Sequence, residues 1–261
     1  MGRADFITVE DVSKSFFNQD QSEHVLSNVS LQIQKGEIVS VLGESGCGKS
    51  TLLNVIGGFE QVDHGIVTMD GQPVKGPSRR GIMLFQNYGL LPWRSVLKNV
   101  ELGLEDGVTN GKQRRERALH YLELVGLLDK VNLFPHELSG GMQQRVAIAR
   151  ALAIQPELIL MDEPFAALDT FNRYYLQDEL LTIQSKEKTT IVLVTHDIDE
   201  AIYLSNRVFI MSAKPGRVKK EIAIRTPRPR DRSHGDFQHF RKMIFEEFEF
   251  SRSKTAIEYN I

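Results

Sequence analysis

The run Ile38–Leu42 leads without interruption into GESGCGKST, Gly43 to Thr51, and TLLNVIGGF then continues with helical apolar spacing. A buried strand handed straight to a glycine loop and on to a helix restricts the chain to α/β folds in which that loop is the working part. Gly43, Gly46 and Gly48 let the backbone wind tightly and turn successive N–H groups inward, with Glu44, Ser45 and Cys47 completing the loop. The helix that follows adds its positive end, so the loop is a nest for an anion such as phosphate. Lys49 can reach outer phosphates as a mobile point charge, the hydroxyl of Ser50 is a hard oxygen donor suited to Mg²⁺, and Thr51 supports an inner phosphate. The pattern G-x4-G-K-[ST] is shared by many unrelated NTPases, so it announces a nucleotide without naming the reaction. The Cys47 thiol is expected within this nest, where alkylation would block nucleotide binding and bound nucleotide would protect it.

The rest of the chain alternates strands and helices. Ile7–Val12 and Val29–Ile33 have period-two patterns, GIVTMDGQPV reads as a hairpin turning at Asp70-Gly71, and Ile82–Phe85 is a short strand. From Ser95 to Ala153 the pattern is helical, interrupted by the polar DGVTNGK, before ELILMD resumes as a buried strand. TTIVLVT and NRVFIMS are further strands around the helix-like HDIDEAIYL, and KPGRVKKEIAI reads as a last hairpin. At 261 residues this suits one large domain with an inserted helical lobe. No apolar run approaches the roughly 20 residues of a spanning helix, and the start has no signal-peptide core. A net charge of −2 and a single cysteine argue against a nucleic-acid backbone binder and against a disulfide scaffold.

Asp162 and Glu163 close the apolar run LILM, so one carboxylate can serve a metal and its neighbour an attacking water. His196 directly follows the strand IVLVT, and Gln86 ends IMLF with an amide oxygen able to ligate Mg²⁺ or water. LSGGMQQR, Leu138 to Arg145, precedes the helix-like VAIARALAI and sets Ser139, Gly140 and Gly141 at a helix N-terminus, a second anion-binding arrangement in the same chain.

These motifs, in this order, resemble the ATP-binding cassette (ABC) proteins, and the likeness runs from Ile7 to about Ile224. The resemblance implies a P-loop NTPase (RecA-like) core with an antiparallel β subdomain and an inserted α-helical subdomain. The cassette would span residues 5–224, with the helical subdomain inserted at about 87–155, and residues 225–261 would form a largely helical tail. It implies ATP and Mg²⁺ as cofactors, Asp162 and Gln86 joining Ser50 at the metal, Glu163 as general base, and His196 at the γ-phosphate. It further implies a head-to-tail dimer in which Ser139, Gly140, Gly141 and Gln143 of one copy close over the ATP held by Lys49 of the other. Asp169 would line that interface. Phe16 matches the family's adenine-stacking position and Phe17 is the alternative. Ala166 stands where relatives usually have Gly, and Glu137 where Gln is common.

NYGLLPWRSV gathers Tyr88, Leu90, Leu91 and Trp93 around a proline, more apolar surface than a solvated connection needs. The same side chains could equally pack beneath the helical lobe; in the family this segment receives the cytoplasmic helices of the membrane subunits. FQNYGLLPWRSVLKNV, EPFAALDTFNRYYLQDEL and THDIDEAIYLSNRV look most like the nitrate, sulfonate and taurine importer ATPases. That likeness implies a subunit peripheral to the cytoplasmic face of the membrane, working with two permease subunits and an extracytoplasmic binding protein, and without nucleic acid. The competing class, a soluble ABC ATPase of repair or translation, usually carries long coiled-coil insertions or two cassettes in one chain. A sensor without turnover is disfavoured by Glu163 and His196. Past Arg217 the chain is basic, then mixed; a solvated hairpin and amphipathic helix is the simpler reading, and a second one sets Lys219, Lys220, Arg225, Arg228 and Arg230 near anionic lipid headgroups.

Overall fold

The computed structural model describes residues 5–18, 21–85, 88–108, 110–166 and 168–258. The chain divides into two compact units, one formed by Met1–Pro77 with Val192–Ile261 and the other by Ser78–Ile191. One of the sequence-based assignments, Gln86, lies outside the described residues.

In the first unit, strands β1 (Asp5–Asn18) and β2 (Gln21–Gln34) pair antiparallel along most of their length. Both are longer than their alternating segments suggest. With β4 (His64–Met69) and β5 (Gln72–Pro73) they form an antiparallel sheet of order β2-β1-β4-β5. The β4–β5 hairpin turns at Asp70 and Gly71, both at positive φ (54° and 73°), the geometry a tight Asp-Gly turn provides. Strand β3 (Ile38–Leu42) is buried at every position and pairs in parallel with β9 (Arg207–Ser212). Strand β10 (Arg217–Ala223) returns antiparallel to β9. Helix α1 (Lys49–Gly57) stops at Gly58, whose φ of 75° makes a left-handed cap with its N–H turned back to Asn54 and Val55. A Cβ at Gly58 would stand 2.5 Å from the backbone of Gly76, so both conformation and space require glycine there. Helices α6 (Ile198–Leu204) and α7 (Gly235–Glu258) complete this unit.

In the second unit, β6 (Gly81–Leu84) pairs in parallel with β7 (Leu158–Asp162). Helices α2 (Val96–Leu102), α3 (Gly111–Leu124) and α4 (Gly140–Ala153) pack on one another, and α5 (Thr170–Glu187) follows β7. Strand β8 (Thr190–Thr195) carries the chain from this unit into the first. Helices α2 to α5 each begin on a polar side chain that accepts a first-turn N–H: Ser95, Asn110, Ser139 and Asp169. Among the described residues between β6 and α2, the stretch 88–95 has no helix or strand and is held by side chains instead. Asn99, fully buried on α2, accepts from Leu91 N (2.8 Å) and donates to the carbonyls of Leu91 (3.1 Å), Arg94 (2.9 Å) and Ser95 (3.1 Å). The Arg150 guanidinium, on the last turn of α4, donates to Gly89 O (2.7 Å) and Tyr88 O (2.9 Å).

Replacing Asn99 by Ala strands these buried backbone groups. We expect Asn99→Ala to lower the unfolding free energy by about 2–3 kcal/mol, read as a shift of the urea midpoint at unchanged slope. An unshifted midpoint would mean that solvent or local rearrangement satisfies them.

Candidate functional site

Each unit carries its own set of the residues singled out in the sequence. In the first, the loop Gly43–Gly48 joins β3 to α1. Gly46 and Gly48 have φ of 78° and 92°. Gly48 is the N-cap of α1, where no side chain caps the helix, so the first-turn amides remain directed at the loop. A Cβ at Gly48 would come within 2.8 Å of Leu26 Cδ2 and 3.0 Å of Val25 O, which presses the loop against β2. Lys49 is only 7% exposed, and its Nζ arches back to donate to Gly43 O and Glu44 O, both at 2.9 Å. The ammonium charge thus faces neutral carbonyls at the mouth of the nest, where phosphate oxygens can replace them at no cost in buried charge. Ser50 is exposed on the first helical turn, with Thr51 half-buried beside it.

The phosphate loop also corrects one expectation. Cys47 has no accessible surface, a Cβ on Gly43 would lie 2.4 Å from its Sγ, and Lys49 Nζ stands 4.0 Å from it, so the thiol is packed on the inner side of the loop, closed to solvent, rather than open in the nest. The left-handed turn at Gly46 swings residue 47 towards the core, where cysteine serves as a small hydrophobe. Burial pushes the Cys47 thiol above its usual range, against the opposing pull of Lys49. Cys47 therefore contributes backbone, not a reactive group, to the anion site.

Phe16 is 40% exposed and Phe17 86% exposed. Lys14 Nζ stands 5.2 Å over the Phe16 ring while bonded to Glu60 at 2.8 Å. Phe16 pairs with Glu23, two residues along β2 from the Val25 that meets Gly48. His196 is exposed just past the end of β8; the next residue, Asp197, donates its N–H to Thr195 Oγ1 (3.1 Å) and accepts from Glu200 N (3.1 Å), which fixes the turn that presents the imidazole.

In the second unit, Asp162 ends β7 and Glu163 follows with φ of 46°. Left-handed backbone at a non-glycine residue costs about 1–2 kcal/mol and points to a side chain being aimed for a purpose. Glu163 lines a cavity of about 380 Å³ with Phe85, Tyr88, Gln144, Ala147 and Pro164. The amide of Gln144, a residue only 3% exposed, has no hydrogen-bond partner there. Sequence reasoning passed over Gln144 and chose its neighbour Gln143, whose Nε2 instead donates to the carbonyls of Pro135 (2.9 Å) and Leu138 (3.3 Å). Ser139 is the N-cap of α4, accepting from Met142 N at 3.3 Å. Gly140 and Gly141 open the helix; a Cβ on Gly141 would press on Leu168 at 3.1 Å, and one on Gly140 would lie 3.5 Å from the Tyr88 hydroxyl. Asp169 caps α5 and is held below the usual carboxylate range by the Asn172 side-chain amide, 2.6 Å away.

Tyr88 and Gly89 both have φ of 55°, a bend that Arg150 holds by their carbonyls. Tyr88, Leu90 and Leu91 are half-buried and Trp93 is 72% exposed. The stretch is therefore divided: the first three side chains are partly packed, and Trp93 stands out with Phe85, 51% exposed, as large apolar surface. Arg150 and Asn99, which shape this stretch, were not recognised in the sequence. An Arg inside a helical apolar pattern and an Asn in VLKNV give no signal until the helix and the loop are in contact.

Because attack on the Cys47 thiol must await local opening, we expect alkylation in the native protein to run at least about a hundredfold slower than in the urea-unfolded chain. Equal rates would return the thiol to the nest.

A family profile described as ABC transporter matches residues 26–166. An uncharacterized ABC transporter ATP-binding protein of Methanocaldococcus jannaschii is 48% identical over 91% of this chain and 89% of its own length. The aliphatic sulfonates import ATP-binding protein SsuB of Bacillus cereus is 45% identical over 94% of this chain and 96% of its own, and that of Bacillus subtilis is 43% identical over 93% and 94%. Among solved structures, a dimeric ATP-binding cassette in a post-hydrolysis state with ADP and Pi superposes with a TM-score of 0.76 at 36% identity, covering 85% of this chain and all of that one. The structure of cbiO1 of Clostridium perfringens, part of the ABC transporter complex cbiONQ, gives 0.75 at 28% identity over 84% of this chain and 89% of its own. With its phosphate loop, its strand-end carboxylates and its capped signature helix in place, the chain belongs to the ABC transporter family, as a P-loop ATPase cassette.

Proposed function

We propose that this chain is the ATP-hydrolysing, energy-coupling subunit of an importer for an aliphatic sulfonate or a related small solute such as taurine or nitrate. The observation that carries the ATPase part is Lys49, buried yet bonded to neutral groups of its own loop, the carbonyls of Gly43 and Glu44 and, at 4.0 Å, the Cys47 thiol, beside an uncapped helix start. The similarity to SsuB proteins over more than nine-tenths of both chains supports the solute class.

In this reading Gly43–Gly48 and Lys49 hold the phosphates of ATP, and Phe16, with Phe17 as the alternative, stacks on the base. Ser50 and Asp162 offer Mg²⁺ the hard oxygens it prefers, and among the described residues no group of three or more His, Cys, Asp or Glu forms a cage of its own. That donor set fits an ion bound mainly through phosphates and water. Mg²⁺ would screen the phosphate charge. Glu163 takes a proton from the attacking water, His196 fixes the γ-phosphate, and Gln86 reports on the metal. Ser139, Gly140 and Gly141, with Gln143 supporting the turn before them, would close on the ATP of a second copy, and Asp169 would face the partner. The dimeric cassette with ADP and Pi supports that arrangement.

Among the described residues no helix is long and apolar enough to cross a membrane. Attachment to the cytoplasmic face would come through two permease subunits, which also connect the chain to an extracytoplasmic binding protein. Tyr88, Leu90, Leu91 and Trp93 are the docking surface in this reading, with Trp93 as its exposed anchor. The domain division proposed for the activity is a cassette at 5–224, a helical subdomain at about 87–155, and a C-terminal tail at 225–261.

Glu163→Gln keeps size and hydrogen bonding but removes the base. Its turnover should fall at least about a hundredfold while ATP binding persists and the dimer accumulates on gel filtration; near-normal turnover would reject the assignment. Trp93→Ala should weaken capture of co-expressed permease by about thirtyfold, the scale of an interface anchor, with ATP affinity of the isolated chain as the folding control. Undiminished capture would move the docking surface elsewhere.

A further inference from the structure

Away from the phosphate loop, the first unit has an open pocket of about 580 Å³ whose lining includes Arg207, Arg225, Arg228, Arg230, Thr226 and Glu37. Four guanidinium groups face one carboxylate, and they are not equivalent. Arg207 is neutralised: it binds Glu37 through Nε (2.7 Å) and Nη2 (3.1 Å) and Glu221 through Nη1 (2.8 Å). Glu37 is in turn fully engaged, since it also accepts from Gln34 N at 3.0 Å.

Arg230 is 7% exposed and is spent on structure. It donates to the carbonyls of Ile202, Tyr203, Ser205, Ile224 and Thr226, and to Thr226 Oγ1 at 3.0 Å, closing the carbonyl end of α6. These partners are neutral, so the positive charge remains. Burial, and behind it the like charge of Arg228, bring the Arg230 guanidinium down to about 10. Thr226, accepting from Arg230, keeps its own hydroxyl hydrogen to donate.

Among the described residues Arg228 has no hydrogen-bond partner, and its Nη2 is buried. Burial lowers its pKa too, with Glu37 opposing from a distance. A desolvated guanidinium without a partner is costly unless an acceptor from outside the chain meets it. Pro227 and Pro229 flank Arg228 and have no N–H, so the short segment presents cations and carbonyls with few competing donors.

We propose that this pocket is a second anion site, separate from the nucleotide nest, that takes a tetrahedral oxyanion of the phosphate or sulfate type on the Arg228 guanidinium, assisted by Arg225 and the Thr226 hydroxyl. The planar fork of Arg228 suits two oxygens of such a group, and Arg225, exposed on the same rim, supplies the remaining charge. One oxyanion chemistry can arrive in two ways, as a free ion or as a phospholipid headgroup.

The test uses the full chain with its nest filled by a saturating non-hydrolysable ATP analogue. Equilibrium dialysis with radiolabelled inorganic phosphate should find one phosphate per chain, bound at least about tenfold more weakly by Arg228→Gln and only partly weakened by Arg228→Lys. In a second arm, the chain is sedimented with phosphatidylglycerol or with phosphatidylcholine vesicles. Loss of binding to the anionic vesicles alone in Arg228→Gln, without free-phosphate binding, identifies the headgroup form. Thermal unfolding and ATP affinity check that the variants fold, and Arg225→Gln substitutes if Arg228→Gln does not. No binding in either arm, or equal binding by a folded Arg228→Gln, overturns the site.

Discussion

The geometry of the phosphate loop depends on the joint between β3 and α1. Gly48 stands at φ 92° with Leu26 and Val25 where a side chain would go, so the turn can be made only by glycine and only against β2. The same turn starts α1 without a side-chain cap, buries Lys49 and turns Cys47 inward. A strand buried along its whole length anchors one side of the joint, and a helix sealed by left-handed Gly58 the other. The nest is rigid because its walls are core.

That dependence explains what could be read from the sequence. Strand, loop and helix around GESGCGKST, the Asp70-Gly71 turn, the stop at Gly58 and the strand ending at Asp162 are local matters of glycine conformation and apolar periodicity, and the structure has them. Helix α5 was not recognised as an element, because its apolar residues are few and its strongest signal, the Asp169 cap, had been read as an interface residue. The Cys47 thiol was misread for a different reason: proximity along the chain says nothing of which side of a turn a side chain takes. Arg150, Asn99 and Gln144 were silent, and Arg230 was read only as a cation near headgroups, since the first two and Arg230 acquire their roles from backbone groups 4 to 62 positions away and Gln144 from a cavity made by other elements.

The irregular stretch after β6 illustrates how such residues substitute for secondary structure. Its backbone polar groups have no ladder to join, and a buried carbonyl left unmade costs more than the bond is worth. Asn99 supplies an amide that answers an N–H and three carbonyls, and Arg150 supplies a fork for two more. Because Arg150 ends the helix that Ser139 begins, the bend at Tyr88 and Gly89 is tied to the signature helix through one side chain. The hydroxyl of the same Tyr88 lies beside Gly140, at the other end of α4. A shift of that helix along its axis would be felt at both ends by one residue, Tyr88.

The buried and half-buried cations, Lys49, Arg150, Arg207, Arg228 and Arg230, divide by what they are bonded to. Arg207 meets two carboxylates, so its charge is consumed and its role is architectural. Lys49, Arg150 and Arg230 meet carbonyls, which satisfy their hydrogens and leave the charge in place. For Arg150 and Arg230 the remaining field falls on helix C-termini, where the negative end of the helix dipole absorbs it. Lys49 has no such sink; it sits at the positive end of α1, where its charge and the dipole repel each other and an incoming anion relieves both. Arg228 is in the same position without even the carbonyls. The partners of a buried cation, more than its burial, therefore separate those that hold the fold from those that await a ligand.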